Sequence, residues 1–133
     1  MLKATGRVYT LGEVIGMTGK SVIKEEVLQD AIKSSTVPLV KTFEGMSDPE
    51  NVIGHAELEF RDGSLWANVT FNQQSEKDYW DAFNNGYSPK LGFYASKVTA
   101  DPIFGEVESM ELRSICLSDT CLGGNLEDIK KED

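Results

Sequence analysis

Apolar and polar positions alternate with a period of two over one long stretch of this chain. Ala56, Leu58 and Phe60 alternate with His55, Glu57 and Glu59. After Arg61-Asp62-Gly63, Leu65, Ala67, Val69 and Phe71 alternate with Trp66, Asn68 and Thr70. Successive strand side chains point to opposite faces, and an Asp-Gly pair supplies the backbone a tight reversal needs, so the pattern predicts a β-hairpin with one buried face.

Elsewhere the pattern is shorter. Residues 3–10 mix small, β-branched and aromatic side chains and predict a first strand, followed by a loop punctuated by Gly12, Gly16 and Gly19. Between residues 23 and 33 the spacing turns helical, with Ile23, Val27, Leu28, Ala31 and Ile32 on one stripe. Glu25 and Glu26 in the first turn and Lys33 in the last suit the helix dipole. A short strand over 37–43, entered through Pro38, leads into a turn-rich stretch, 44–51. Ser75 is placed to cap a second helix running to Asn84, which would bury Tyr79, Trp80 and Phe83 and stop at Gly86. Strands over 90–98 and 106–117 follow. The order β-α-β-ββ-α-β-β predicts an α+β fold, mostly antiparallel β: a small barrel-like sheet with two packed helices. Residues 1–122 form a single domain in this reading, and the polar stretch 123–133 a loosely ordered tail.

Composition narrows the function. At 133 residues, with 40% hydrophobic and 26% charged positions, the chain has the size and make-up of one globular domain. Its net charge of −9 is the wrong sign for displacing counterions from nucleic-acid phosphates, and it disfavours an anionic membrane surface. No apolar run nears the ~18 residues of a membrane span, and the first residues lack the apolar core of a signal peptide. A basic or neutral protein partner is electrostatically reasonable. Cys116 and Cys121 cannot by themselves build a four-ligand zinc site; free thiols are expected, with a local disulfide as the alternative.

The motifs are weak. Gly16-Met17-Thr18-Gly19-Lys20-Ser21 has the end of a phosphate-binding loop, but Val14 stands where that loop needs its first glycine. His55, the single histidine, falls on the polar face of the hairpin beside Glu57 and Glu59, with no nucleophile at a diagnostic spacing. Glu106 and Glu108 share a strand face with Glu111 nearby, a solvated edge sooner than a metal site. Trp66, Trp80 and Tyr79 suit core packing better than an aromatic binding patch. No cofactor or metal is implied.

Taken in order, several segments carry a resemblance: Gly6-Arg7-Val8, the helix over 23–33 leading into Val37-Pro38-Leu39-Val40, Ile53-Gly54, Asp62-Gly63-Ser64-Leu65, Gly86, Lys90-Leu91-Gly92-Phe93 and the strand over 112–117. Across residues 4–122 the chain resembles the phage prohead (capsid-maturation) protease family, whose assemblin-like fold is a small antiparallel barrel ringed by helices. That family works through a serine nucleophile, a histidine base and an acidic partner. The resemblance places those roles at Lys90, at Phe43 and near Ser114, and none of the three is the required residue. Removing serine or histidine from such a triad costs on the order of 10⁶ in kcat. A displaced set of Ser88, Lys90 and His55 is the remaining route to an active serine protease, and it needs a desolvated Lys90. The resemblance thus implies a catalytically degenerate virion protein that binds the major capsid protein as a cement, decoration or assembly factor. It would be built into the capsid in the host cytoplasm, with a homo-oligomer on the capsid lattice as a further expectation. Exposed strand edges and the 44–51 loop would be its contact surfaces.

Overall fold

The computed structural model describes residues 1–11, 14–15, 21–32, 36–41, 51–100, 106–118, 121 and 123–131. Phe43, the 44–50 stretch, the glycine-rich 16–20 loop and Lys33 lie outside the described residues.

The hairpin forms where the alternation places it. Strand β5 (Val52–Arg61) pairs antiparallel with β6 (Ser64–Phe71), Glu57 facing Asn68 and Glu59 facing Trp66. Asp62 and Gly63 both hold positive φ, 52° and 76°, so the two-residue turn follows the strand twist. On the inner face Ile53, Ala56, Leu58, Leu65, Ala67, Val69 and Phe71 are buried. β1 (Leu2–Thr10) continues the sheet beyond β6, and β4 (Thr36–Val40) continues it beyond β5.

The rest of the sheet departs from a plain antiparallel layout. β7 (Lys90–Ala100) and β8 (Glu106–Ser118) make a long antiparallel hairpin, and β8 also runs parallel to β4, with Val40 facing Cys116. Two short strands, β2 (Val14–Ile15) and β3 (Ser21–Ile23), extend the sheet on the same side, β3 parallel to β8. Ile23, expected in the first helix, is instead a buried strand residue facing Val107. The order is β2-β3-β8-β4-β5-β6-β1-β9, with β7 on β8. The result is a mixed, mostly antiparallel sheet that curls into a half-barrel with two helices, as the α+β expectation had it.

Burial along β8 follows no single period. Val107, Met110, Leu112, Ile115 and Leu117 share one core although their spacing changes parity twice. The register against β7 slips between Tyr94 and Ala95 and again between Thr99 and Ala100, which leaves an extra β8 residue at each place. Each bulge turns the strand by one residue and returns the next apolar side chain to the core.

The stretch from residue 126 is not a loose tail. Leu126–Lys131 forms β9, antiparallel to β1, with Leu2 facing Lys131 and Leu126 buried. Just before it the chain stitches the curled sheet together. Gly123 N–H donates to Leu91 O (2.8 Å), Leu91 N–H to Gly124 O (3.0 Å) and Gly124 N–H to Arg7 O (2.7 Å). These bonds link β7 to β1. A Cβ on Gly123 would lie 2.2 Å from Leu91 O and 2.9 Å from Val8 O, so only glycine fits between the two strands.

The two helices are shorter than, or shifted from, the expected ranges. α1 (Glu25–Ala31) buries Val27 and Leu28 and packs on β8. α2 (Gln73–Asn84) begins earlier than a Ser75 cap would allow. Asn72 takes the cap position, and its amide anchors the helix to β5 by donating to Val52 O at 3.0 Å. α2 lies across the barrel end where β1 begins and β9 ends, with Glu76 3.3 Å from the amino terminus and Trp80 under Lys131. Tyr79, Trp80 and Phe83 pack on the core but are only partly buried. Phe71, Tyr79, Phe83 and Tyr87 form a continuous ring contact, with centroids 4.9–6.1 Å apart.

Candidate functional site

The two described positions singled out by the protease resemblance, Lys90 and Ser114, do not converge. Lys90 opens β7, exposed, facing Ser118, whereas Ser114 is buried within β8 facing Tyr94. Four residues of strand separate Ser118 from Ser114, roughly 13 Å at the rise of an extended chain. Phe43 lies outside the described residues.

The displaced set fares no better. Ser88 is an exposed turn residue held by Asn125, whose side-chain amide donates to Ser88 O at 2.9 Å and to Ser88 Oγ at 3.0 Å. Lys90 is exposed at the start of β7. His55 sits on the outer face of β5 between Pro38 and Thr70. Strands β8 and β4 separate β5 from β7, so the strands that carry His55 and Lys90 lie three strand spacings, roughly 14 Å, apart along the sheet.

Two β8 glutamates are surface groups. Glu108 and Glu111 are exposed, and Glu111 Oε2 pairs with Arg113 at 3.0 Å. Among the described residues no cluster of three or more His, Cys, Asp or Glu side chains is placed to hold a metal ion.

Two groupings emerge that the sequence reading did not anticipate. One is the outer, polar face of β5, β6, β1 and β9, a shallow hollow of ≈ 410 Å³ lined by Lys3, Thr5, Glu57, Glu59, Asn68 and Lys130 among others. Asn68 is its centre: Oδ1 accepts from Thr5 Oγ1 at 2.9 Å, and Nδ2 donates to Glu59 Oε1 at 3.4 Å. Asp128 joins the lining from a bulge in β9, with a left-handed φ of 50°. Trp66 belongs to this polar face and not to the core; the Arg61 guanidinium covers its ring at 4.5 Å and Glu59 lies beside Arg61 at 3.6 Å. Donors and acceptors of both signs thus stand side by side on an open surface. Such a face suits contact with another polar surface and offers no nucleophile-and-base pair. Alternation along the hairpin marked about half of this lining; β1 and β9, the latter misread as a tail, supply the rest.

The other grouping is a small second core of Val40, Cys116 and Cys121 with Val52 packed against it, at the barrel end that α2 covers. Both cysteines are free and buried. Cys116 Sγ lies 3.4 Å from Lys41 O, and Cys121 Sγ 3.7 Å from Cys116 O. The thiols also share a hydrogen bond, which pulls the Cys121 pKa down and, together with burial, pushes that of Cys116 up. Tyr79 reaches towards this core; burial first, then the neighbouring Tyr87, Cys116 and Asp78, raise its pKa to about 12.

Comparison with known proteins adds no relative: no family model, no curated protein and no solved structure matches this chain.

Proposed function

We propose that this chain is a non-catalytic virion protein with a prohead-protease-like fold that binds the major capsid protein, as a cement, decoration or assembly factor. The observation that carries the non-catalytic half is the placement of Lys90 and Ser114, four residues out of register on one hairpin, one exposed and the other buried. A protease needs its nucleophile and base within hydrogen-bond reach of each other. The capsid half rests on the family resemblance and draws support from two surfaces. From Gly92 onward β7 is paired as a strand only with β8 among the described residues, which leaves a strand edge able to accept a partner segment. The mixed-charge outer face of β5, β6, β1 and β9 offers a second, polar contact area.

The test is quantitative mass spectrometry of purified mature virions, counting intact copies of this chain against the major capsid protein. A cement or decoration protein stays whole at a fixed, high ratio. Fragments alone, or absence, would sink that role. A fluorophosphonate probe on the purified protein is expected to leave every serine unlabelled, and labelling of Ser88 would restore the protease.

A further inference from the structure

We propose that Cys116 and Cys121 form a reversible intramolecular disulfide, a redox lock on the segment that stitches the barrel. Cys116 sits in β8 and Cys121 five residues on, after a turn in which Cys121 N–H reaches Ser118 O at 3.3 Å. That turn folds the chain back so that both side chains enter one small core with Val40 and Val52, and Cys121 Sγ lies 3.7 Å from the backbone of Cys116 itself. The described cysteines are the only two in the chain, so no third thiol competes within the molecule. Both thiols lie in that one small core, and Cys121 is the one whose ionisation its surroundings favour.

The chemistry is exchange with a low-molecular-weight disulfide such as oxidised glutathione. The Cys121 thiolate attacks one glutathione sulfur; the glutathione S–S bond breaks, and the leaving thiolate takes a proton from water. Cys116 then releases its proton to solvent and attacks Cys121 Sγ, expelling the second glutathione. Two electrons pass from the protein pair to the glutathione pair. The product ties residue 121 to β8 two residues before Gly123, which with Gly124 joins β7 to β1. Oxidation therefore anchors the stitch from one side. This inference is independent of the capsid reading and fails or stands separately from it.

The experiment equilibrates the full chain with defined ratios of reduced and oxidised glutathione, quenches with acid and alkylates. Intact mass then measures the disulfide fraction, both in buffer and in concentrated urea. The folded chain holds the sulfurs together, whereas the unfolded chain must close the loop each time. The equilibrium constant for disulfide formation is therefore expected to be at least about tenfold larger in buffer. The oxidised species should be a monomer two hydrogens lighter, and Cys116→Ser and Cys121→Ser should each give none of it. By linkage, oxidised wild type should then melt at least about 5 °C above the reduced protein. An equilibrium constant in buffer at or below that in urea would overturn the proposal. So would a product that is mainly disulfide-linked dimer or singly glutathionylated chain.

Discussion

The stitch at Gly123 is the place where one added carbon should do the most damage for its size. Gly123→Ala puts a Cβ 2.2 Å from Leu91 O, 2.9 Å from Val8 O and 3.0 Å from Arg7 O, all backbone atoms. Relief needs roughly an ångström of movement, and no flexible side chain is available to yield. Movement strains the three bonds that hold the segment, at 2.8, 3.0 and 2.7 Å. Each such bond is worth about 0.5–1.5 kcal/mol net, so weakening two of them costs about 1–3 kcal/mol. Alanine returns about 0.4–1 kcal/mol by restricting the unfolded chain. The expected loss is about 1–1.5 kcal/mol, read as a lower urea midpoint with an unchanged slope. Gly124→Ala is the matched control, since its Cβ would sit 3.3 Å from Arg7 O and 3.4 Å from Arg7 Cβ. It should cost less than about 0.5 kcal/mol. Equal effects from the two substitutions, or a Gly123 variant as stable as wild type, would refute the account of the seam.

Other consequences are as accessible to measurement. Leu126→Ala removes a buried β9 side chain and should cost about 2–3 kcal/mol in chemical denaturation; a loose tail would register nothing. Tyr79 holds its proton to about 12 in the folded state against 10.0 unfolded. Its contribution is therefore complete below pH 10 and fades as pH rises through 10 towards 12. Absorbance titration of the phenolates should show a late-titrating tyrosine that is lost in Tyr79→Phe, and the variant should lose less stability over that range. Arg61→Ala uncovers the Trp66 ring and should shift tryptophan emission to the red while changing stability by less than about 1 kcal/mol.

What could be seen in the sequence depended on whether a residue's fate was local. The β5–β6 hairpin was legible because period-two alternation and the Asp62-Gly63 turn act within twenty residues. Gly86 as a helix stop was legible for the same reason. Ile23 was not: its helical spacing to Val27 was real, but pairing with Val107, distant in the chain, claimed it for a strand. β8 hid its core face because two bulges change parity, and bulges leave no compositional mark. The last strand carries Leu126 and Ile129 among acidic and basic residues, the charged dress of a sheet edge, which on sequence alone looks like a solvated tail. The cysteine pair was visible as a spacing, while its shared core depended on how the turn after β8 folds back.

The pairing of Leu2 with Lys131 also bears on how the molecule is made. It joins residues separated by nearly the whole sequence, and the Gly124 to Arg7 bond farther along β1 spans almost as much of it. Contacts of such high order carry a large loop-closure cost before they return anything, so the rate-limiting ensemble should lack them, and folding should fall in the millisecond-to-second range of β-rich domains. On the ribosome, β1 can find β6 well before β9 exists. Until residues 123–131 emerge, a nascent chain therefore carries β1 with one edge bare and the barrel unsewn, the interval in which a neighbouring chain could pair there instead.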